Sequence, residues 1–192
     1  MSGSGLATLI SSDAGWPGKL SVRLGKTAPH KLNVIGPMNL LSLRKTALFC
    51  SARAPGDVIL RAHDTARQLR DDWLTVISGF HSPLEKDCLG ILLRGKQPVI
   101  ICLARAMEKI RFPSVWRAAL DAGGLLILSP FEKYPPRPTT ESARYRNEVV
   151  AALADEVLII HATPGGQIEQ ISEFVARWQI PLRKLDSGKQ ER

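Results

Sequence analysis

Five short apolar runs, continuous rather than alternating, divide the chain from residue 47 onward: Ala47–Ser51, Trp73–Ile77, Val99–Leu103, Leu125–Ser129 and Val157–His161. A strand with one face in water alternates apolar and polar residues, whereas a strand covered on both faces does not. Between the runs, apolar residues recur with helical spacing, which predicts helices over Val58–Arg70, Pro83–Arg94, Ser114–Ala122, Glu141–Leu153 and Ile168–Gln179. Punctuation supports these bounds: Pro83 stands at a helix start, and Gly95, Gly123 and Gly124 stand just past helix ends. Strands alternating with helices, joined by right-handed crossovers, give an α/β fold with a doubly wound, mostly parallel, Rossmann-like sheet. Pro181–Leu185 is a last short extended piece.

Residues 1–45 have a different texture, rich in Gly, Pro and Ser with no sustained period. They read as a loop-rich N-terminal arm with short extended pieces such as Lys31–Gly36. The expected organisation is therefore an arm over residues 1–45, the Rossmann-like domain over 46–186, and a polar tail over 187–192. The arm is also basic. Of the net charge of +8, residues 1–46 carry +5: Lys19, Arg23, Lys26, Lys31, Arg44 and Lys45 against Asp13 alone. Such a balance favours a polyanionic partner over a neutral one.

No apolar run approaches the roughly 20 residues of a membrane-spanning helix, so no membrane partner is expected. The N-terminus lacks the charged and apolar regions of a secretory signal. Cys50, Cys88 and Cys102 are widely spaced, which suggests neither a disulfide framework nor a zinc site. A reducing, cytoplasmic setting fits, and no cofactor or metal is expected. His63, His81 and His161 share no metal-ligand spacing, and His81 falls in a loop after the second run. Arg105, Lys109 and Arg111 form a basic cluster after the third run. Trp73, Trp116 and Trp178 read as core, and Trp16 as an aromatic in the arm able to stack on a base.

In an open parallel sheet, ligands bind at the carboxyl ends of the strands, against free N–H groups of helix N-termini. The residues following each run are therefore the informative ones. Ser51 and Arg53 follow the first run, Ser78 and Gly79 the second, and Gly165 and Gly166 the fifth. Hydroxyls donate to phosphate oxygens, arginine adds charge and a fork of donors, and glycine lets a ligand approach the backbone. Together they describe a phosphate-binding rim.

The same residues resemble a known family. Leu32–Leu41, Ala47-Leu-Phe-Cys-Ser-Ala-Arg53, Ser78-Gly-Phe-His-Ser-Pro-Leu-Glu85, Leu126–Ser129 with Tyr134-Pro-Pro136, and Arg146-Asn147 with Val149–Asp155 follow one another as in the DNA-processing protein A (DprA/Smf) family. The resemblance covers roughly residues 30–185. It departs at Cys50, which replaces a glycine, at Ala52, which replaces an arginine, and at Glu85, which replaces an aspartate. Pro130 and His161 stand where acidic residues are usual. The resemblance adds Arg146 and Asn147 to the rim and implies single-stranded DNA binding and a recombinase partner; a homodimer is a further expectation. Thr163-Pro-Gly-Gly166 with Glu169 is also similar to a motif of the related cytokinin-activating phosphoribohydrolases.

The reading is a non-catalytic binding protein for single-stranded DNA or a nucleotide, acting in DNA processing or recombination. Its ligand would be held by Ser51, Arg53, Ser78, Gly79, Arg146, Asn147, Gly165 and Gly166. Two alternatives remain at this point. One is a nucleotide phosphoribohydrolase-like enzyme using Glu85 or Glu169 as acid or base; the other is a sensor of a nucleotide-derived signal.

Overall fold

The computed structural model describes residues 5–108 and 110–185. Lys109 of the basic cluster and residues 186–192, which include the expected polar tail, lie outside the described residues. The strands are β1 (Ala7–Ile10), β2 (Lys31–Ile35), β3 (Lys45–Cys50), β4 (Thr75–Ser78), β5 (Val99–Cys102), β6 (Leu125–Ser129), β7 (Glu156–His161) and β8 (Leu182–Lys184). The helices are α1 (Lys19–Leu24), α2 (Gly56–Asp71), α3 (Pro83–Leu92), α4 (Ser114–Asp121), α5 (Thr140–Leu153) and α6 (Gln167–Arg177). All five apolar runs are strands, and each predicted helix lies within a few residues of its expected bounds.

The eight strands form one sheet in the order β1-β2-β6-β5-β4-β3-β7-β8. From β6 to β8 every neighbour is parallel, while β1 pairs with β2 and β2 with β6 antiparallel. The continuous apolar runs are explained by two cores. Ala47, Phe49, Ile77, Ile100, Leu126 and Leu128 face one core, with Val149, Val150 and Leu153 of α5 and Ile171 and Val175 of α6. Leu48, Val76, Val99, Ile101, Leu125 and Ile127 face the other, with Ala62 and Leu69 of α2 and Leu89 and Leu92 of α3. Burying each large aliphatic side chain contributes about 1.5–3 kcal/mol, so a polar residue in any run would be costly.

The N-terminal segment is not a loop-rich arm. It supplies β1, α1 and β2, and its strands extend the sheet at the β6 edge. Leu9, Leu20, Leu32 and Val34 sink into the same core as α5. Most of its charge is spent on structure. Lys19 is paired with Asp155, and Lys31 lies 3.3 Å from Glu132. Arg23 donates to the carbonyls of Ala152 (2.8 Å) and Ala154 (2.6 Å), where α5 ends. Lys45 is 4% exposed and donates to the Leu41 carbonyl at 2.9 Å. Trp16 does not stand free to stack on a base: it packs against the core and its Nε1 donates to Ser21 Oγ.

Trp73 is likewise not core. It is 65% exposed and sits at φ 59°, closing α2 in the place usually taken by glycine. The Leu74 N–H reaches back to the Leu69 carbonyl at 3.1 Å. That left-handed turn aims the Trp73 side chain outward. Trp116 and Trp178 are partly buried against the two cores, as expected.

Candidate phosphate-binding site

Chain order reverses between β3 and β7: from β3 the sheet grows through β4, β5 and β6 on one side and through β7 and β8 on the other. Loops leaving such a pair of strands diverge to opposite faces and open a crevice at their carboxyl ends. A cavity of about 390 Å³ lies there. Its walls are Cys50–Arg53 after β3, His81, Ser82 and Glu85 at the start of α3, Ala143, Arg146 and Asn147 of α5, and Thr163 and Gly166–Ile168 after β7.

The floor is a carboxylate that holds three backbone N–H groups. Glu85 is 5% exposed; its Oε1 accepts the Cys50 N–H at 2.9 Å, and its Oε2 accepts those of His81 (2.8 Å) and Ser82 (3.1 Å). Ser82 Oγ accepts the Glu85 N–H in return, completing a capping box with Pro83 in the first turn of α3. Glu85 thus staples α3 to the end of β3, where the register with β7 shifts between Phe49 and Cys50. The spacing Ser82-x-x-Glu85 signals this cap in the sequence, although Ser82 and Glu85 were not among the expected rim residues.

Arg146 dominates the electrostatics. Its side chain leaves α5 and crosses the ends of β4 and β5, only 4% exposed. Nε donates to Asn147 Oδ1 at 2.8 Å and Nη1 to the Cys102 carbonyl at 3.3 Å. Among the described residues no carboxylate lies within 4.0 Å of its guanidinium nitrogens. Burial lowers its pKa below the ordinary value, opposed by Cys102 and Glu85, but a guanidinium stays protonated in proteins. Burial also lowers the pKa of His81, and the Arg146 and Lys86 charges add to the effect. Burial pushes the Cys50 thiol at the cavity edge up to about 12, with Glu85 contributing. That sulfur is therefore a small apolar wall rather than a nucleophile.

Donors complete the cavity. Gly166 is the N-cap of α6 and makes no side-chain cap, and it lines the cavity with Gln167 and Ile168; Glu169 stands in the same first turn. Ser51 Oγ accepts the Thr163 N–H at 2.9 Å and ties the two loops together, leaving its own proton for a ligand. Arg53 is exposed at the mouth. Gly166 is required here because a Cβ would meet the Thr163 carbonyl, and Gly165 adopts φ 71°.

Of the eight expected residues, Ser51, Arg53, Arg146, Asn147 and Gly166 share the cavity, and Gly165 adjoins it. Ser78 and Gly79 do not line it. The Ser78 hydroxyl is fully buried and accepts the Phe80 N–H, so it is no phosphate donor. Gly79 makes room for the arginine, since a Cβ there would land on the Arg146 guanidinium. Glu169, the alternative acid, accepts the Gly165 N–H at 2.6 Å. Among the described residues no three His, Cys, Asp or Glu side chains gather as metal ligands. No described helix is long and apolar enough to cross a membrane.

Two solved structures share this architecture. DNA processing protein A from Streptococcus pneumoniae superposes with a TM-score of 0.79 at 18% identity, over 97% of this chain. This chain spans only 65% of that protein's length. DNA processing protein A from Helicobacter pylori, described for its single-stranded DNA binding mode, superposes with a TM-score of 0.76 at 23% identity. That match covers 98% of this chain and 85% of the other. No curated protein matches the sequence. The sequence model of DNA recombination-mediator protein A matches residues 7–172, from β1 into α6. The chain belongs to the DNA recombination-mediator protein A family.

Proposed function

We propose that this chain is a non-catalytic binding protein that takes single-stranded DNA or a nucleotide by its phosphate at the β3–β7 crevice. The observation that carries the reading is Arg146: a guanidinium 4% exposed, without a carboxylate partner among the described residues, lining an open cavity. Leaving an ion unpaired in the interior is costly, so such a group calls for an anionic ligand. The start of α6 stands on the facing wall, with the Glu169 carboxylate in its first turn offsetting part of its positive potential. The Helicobacter pylori relative points to single-stranded DNA as the polyanion.

Both candidate acids are committed elsewhere: Glu85 to three backbone N–H groups and Glu169 to Gly165. That favours binding over glycosidic cleavage, which needs a carboxyl free to move a proton at the bond. A recombinase partner, a homodimer and a cytoplasmic setting belong to the same proposal. The test is a salt titration of oligothymidylate affinity. Neutralising about two phosphates gives a slope of log affinity against log salt of about −1.4. A flat dependence would overturn the reading.

A further inference from the structure

We infer that the far side of α5 carries a second subsite for a single strand, where a nucleobase stacks on Tyr134. This rests on the reading of the crevice as the place where the strand's phosphate is held.

A single helix separates two cavities at the carboxyl edge of the sheet. Ala143, Arg146 and Asn147 line the crevice, whereas Ser142, Arg144 and Tyr145, interleaved with them in sequence, line a second cavity of about 500 Å³. At 3.6 residues per turn the two sets fall on opposite faces of α5. The loop after β6 forms the other wall of the second cavity, with Phe131, Tyr134 and Pro135. A helix is about 10–12 Å across with its side chains. A stacked strand advances about 3.4 Å per nucleotide, and an extended one more, so a few nucleotides connect the two cavities.

The second cavity is aromatic, and its exposed ring stands on a fixed support. Phe131 and Tyr145 are half-buried and meet edge to face, with centroids 5.8 Å apart. The Tyr145 hydroxyl donates to the Thr27 carbonyl at 2.8 Å. The loop is pinned on both sides of Tyr134: Asn33 Nδ2 donates to the Phe131 carbonyl at 3.1 Å, and the Ala106 N–H to the Pro135 carbonyl at 2.9 Å. Tyr134 itself is 79% exposed, and among the described residues its ring stacks on no other. An open ring on an ordered loop is a platform for a base, because every base offers a π-face.

Charge decides which part of a strand goes there. Glu141 and Glu148 line the cavity against Arg144 alone, whose Nε lies 3.7 Å from Glu148. Carboxylates outnumber cations, so the cavity repels a phosphate and admits an uncharged base. The phosphates flanking that base find cations on the same loop. Lys133 and Arg137 are exposed, and among the described residues no carboxylate lies within 4.0 Å of either. Glu132, next to Lys133, is matched by Lys31 at 3.3 Å. The cavity is open, so stacking there is tolerant of base identity.

The experiment measures anisotropy of a labelled oligothymidylate with the parent, Tyr134→Ala, Tyr134→Phe and Arg146→Met, each across a salt titration. Tyr134→Ala should weaken affinity about 5- to 150-fold while leaving Tm and the slope of log affinity against log salt unchanged. Tyr134→Phe should bind as the parent does, because it keeps the ring. Arg146→Met should instead make the salt slope shallower, since it removes a phosphate contact. A strand carrying 5-iodouracil should photocross-link at Tyr134. Parent-like affinity in Tyr134→Ala overturns the inference, as does a loss that Tyr134→Phe shares or one that flattens the salt slope. In each of these cases the crevice reading stands if Arg146→Met still binds weakly. Parent-like affinity and slope in Arg146→Met remove the crevice reading, and the inference with it.

Discussion

Replacing Arg146 by methionine separates a ligand-binding role from a structural one. The substitution keeps most of the side-chain volume in a slot between α5 and the ends of β4 and β5 while removing the charge. Two hydrogen bonds from the charged guanidinium go, to Asn147 Oδ1 and the Cys102 carbonyl, each contributing about 1.5–3 kcal/mol. Against this, an ion that is 4% exposed, with no carboxylate within 4.0 Å among the described residues, no longer has to be kept out of water. Replacing buried ions by apolar side chains is often neutral or stabilising by about 1–4 kcal/mol. The two effects oppose each other and leave a net loss of about 2 kcal/mol. For a chain of this length, a residual of about 2 kcal/mol moves Tm by about 4–8 °C. Binding behaves differently, because a charge-assisted contact to phosphate is lost with no compensation. A loss of about 1.5–3 kcal/mol weakens affinity about 10- to 150-fold. Calorimetry for Tm and anisotropy with oligothymidylate read the two effects independently. A Tm lowered by more than about 10 °C would show that the arginine is a structural strut, and unchanged affinity in a folded variant would refute the site.

Gly79→Ala drives a methyl into the Arg146 guanidinium; overpacking should cost about 1–3 kcal/mol, and affinity should fall as the arginine is displaced, both read by the same two assays. Glu85→Gln replaces an acceptor of three backbone N–H groups by an amide that must aim a donor at one of them. The expected cost is about 2–3 kcal/mol in urea unfolding, and a variant as stable as the parent would contradict the staple. Lys45→Met tests the other end of the sheet. Burial, opposed by Asp155, lowers the Lys45 pKa from 10.5 to about 8, so between those values the unfolded chain holds the extra proton. Stability of the parent should therefore gain from this residue as pH rises from about 8 to 10.5. The Tm advantage of Lys45→Met over the parent should shrink over that window, and a constant difference would refute the assignment.

The parallel half of the sheet is legible in the sequence because both of its faces are covered, so runs such as Leu125–Ser129 carry no polar residue until the final serine. The antiparallel edge is not. β1 and β2 are interrupted by the polar residues Thr8, Lys31 and Asn33, and they sit among Gly, Pro and Ser. β1 pairs with β2, and β2 with β6, distant in sequence, so only tertiary pairing makes them strands. The charge of that segment misleads for the same reason, since Lys19, Arg23 and Lys45 are spent on Asp155 and carbonyls that the fold brings near. At the site, position after a strand leads to Ser51, Arg53 and Gly166, which share the lining of one cavity. It cannot distinguish Ser78, whose hydroxyl turns inward, from Ser51, whose hydroxyl turns to the cavity. Nor does a Ser-Gly pair reveal that its glycine serves an arginine sixty-seven residues away.

The central claim is a location, and chemical-shift mapping addresses it directly. Oligothymidylate titrated into ¹⁵N-labelled protein should perturb the amides of Ser51, Arg53, Gly166, Gln167 and Ile168, together with the Arg146 Nε–H, which donates to Asn147 Oδ1. Shifts confined instead to the basic loop around Arg105 and Arg111, with the crevice amides unmoved at saturation, would contradict it.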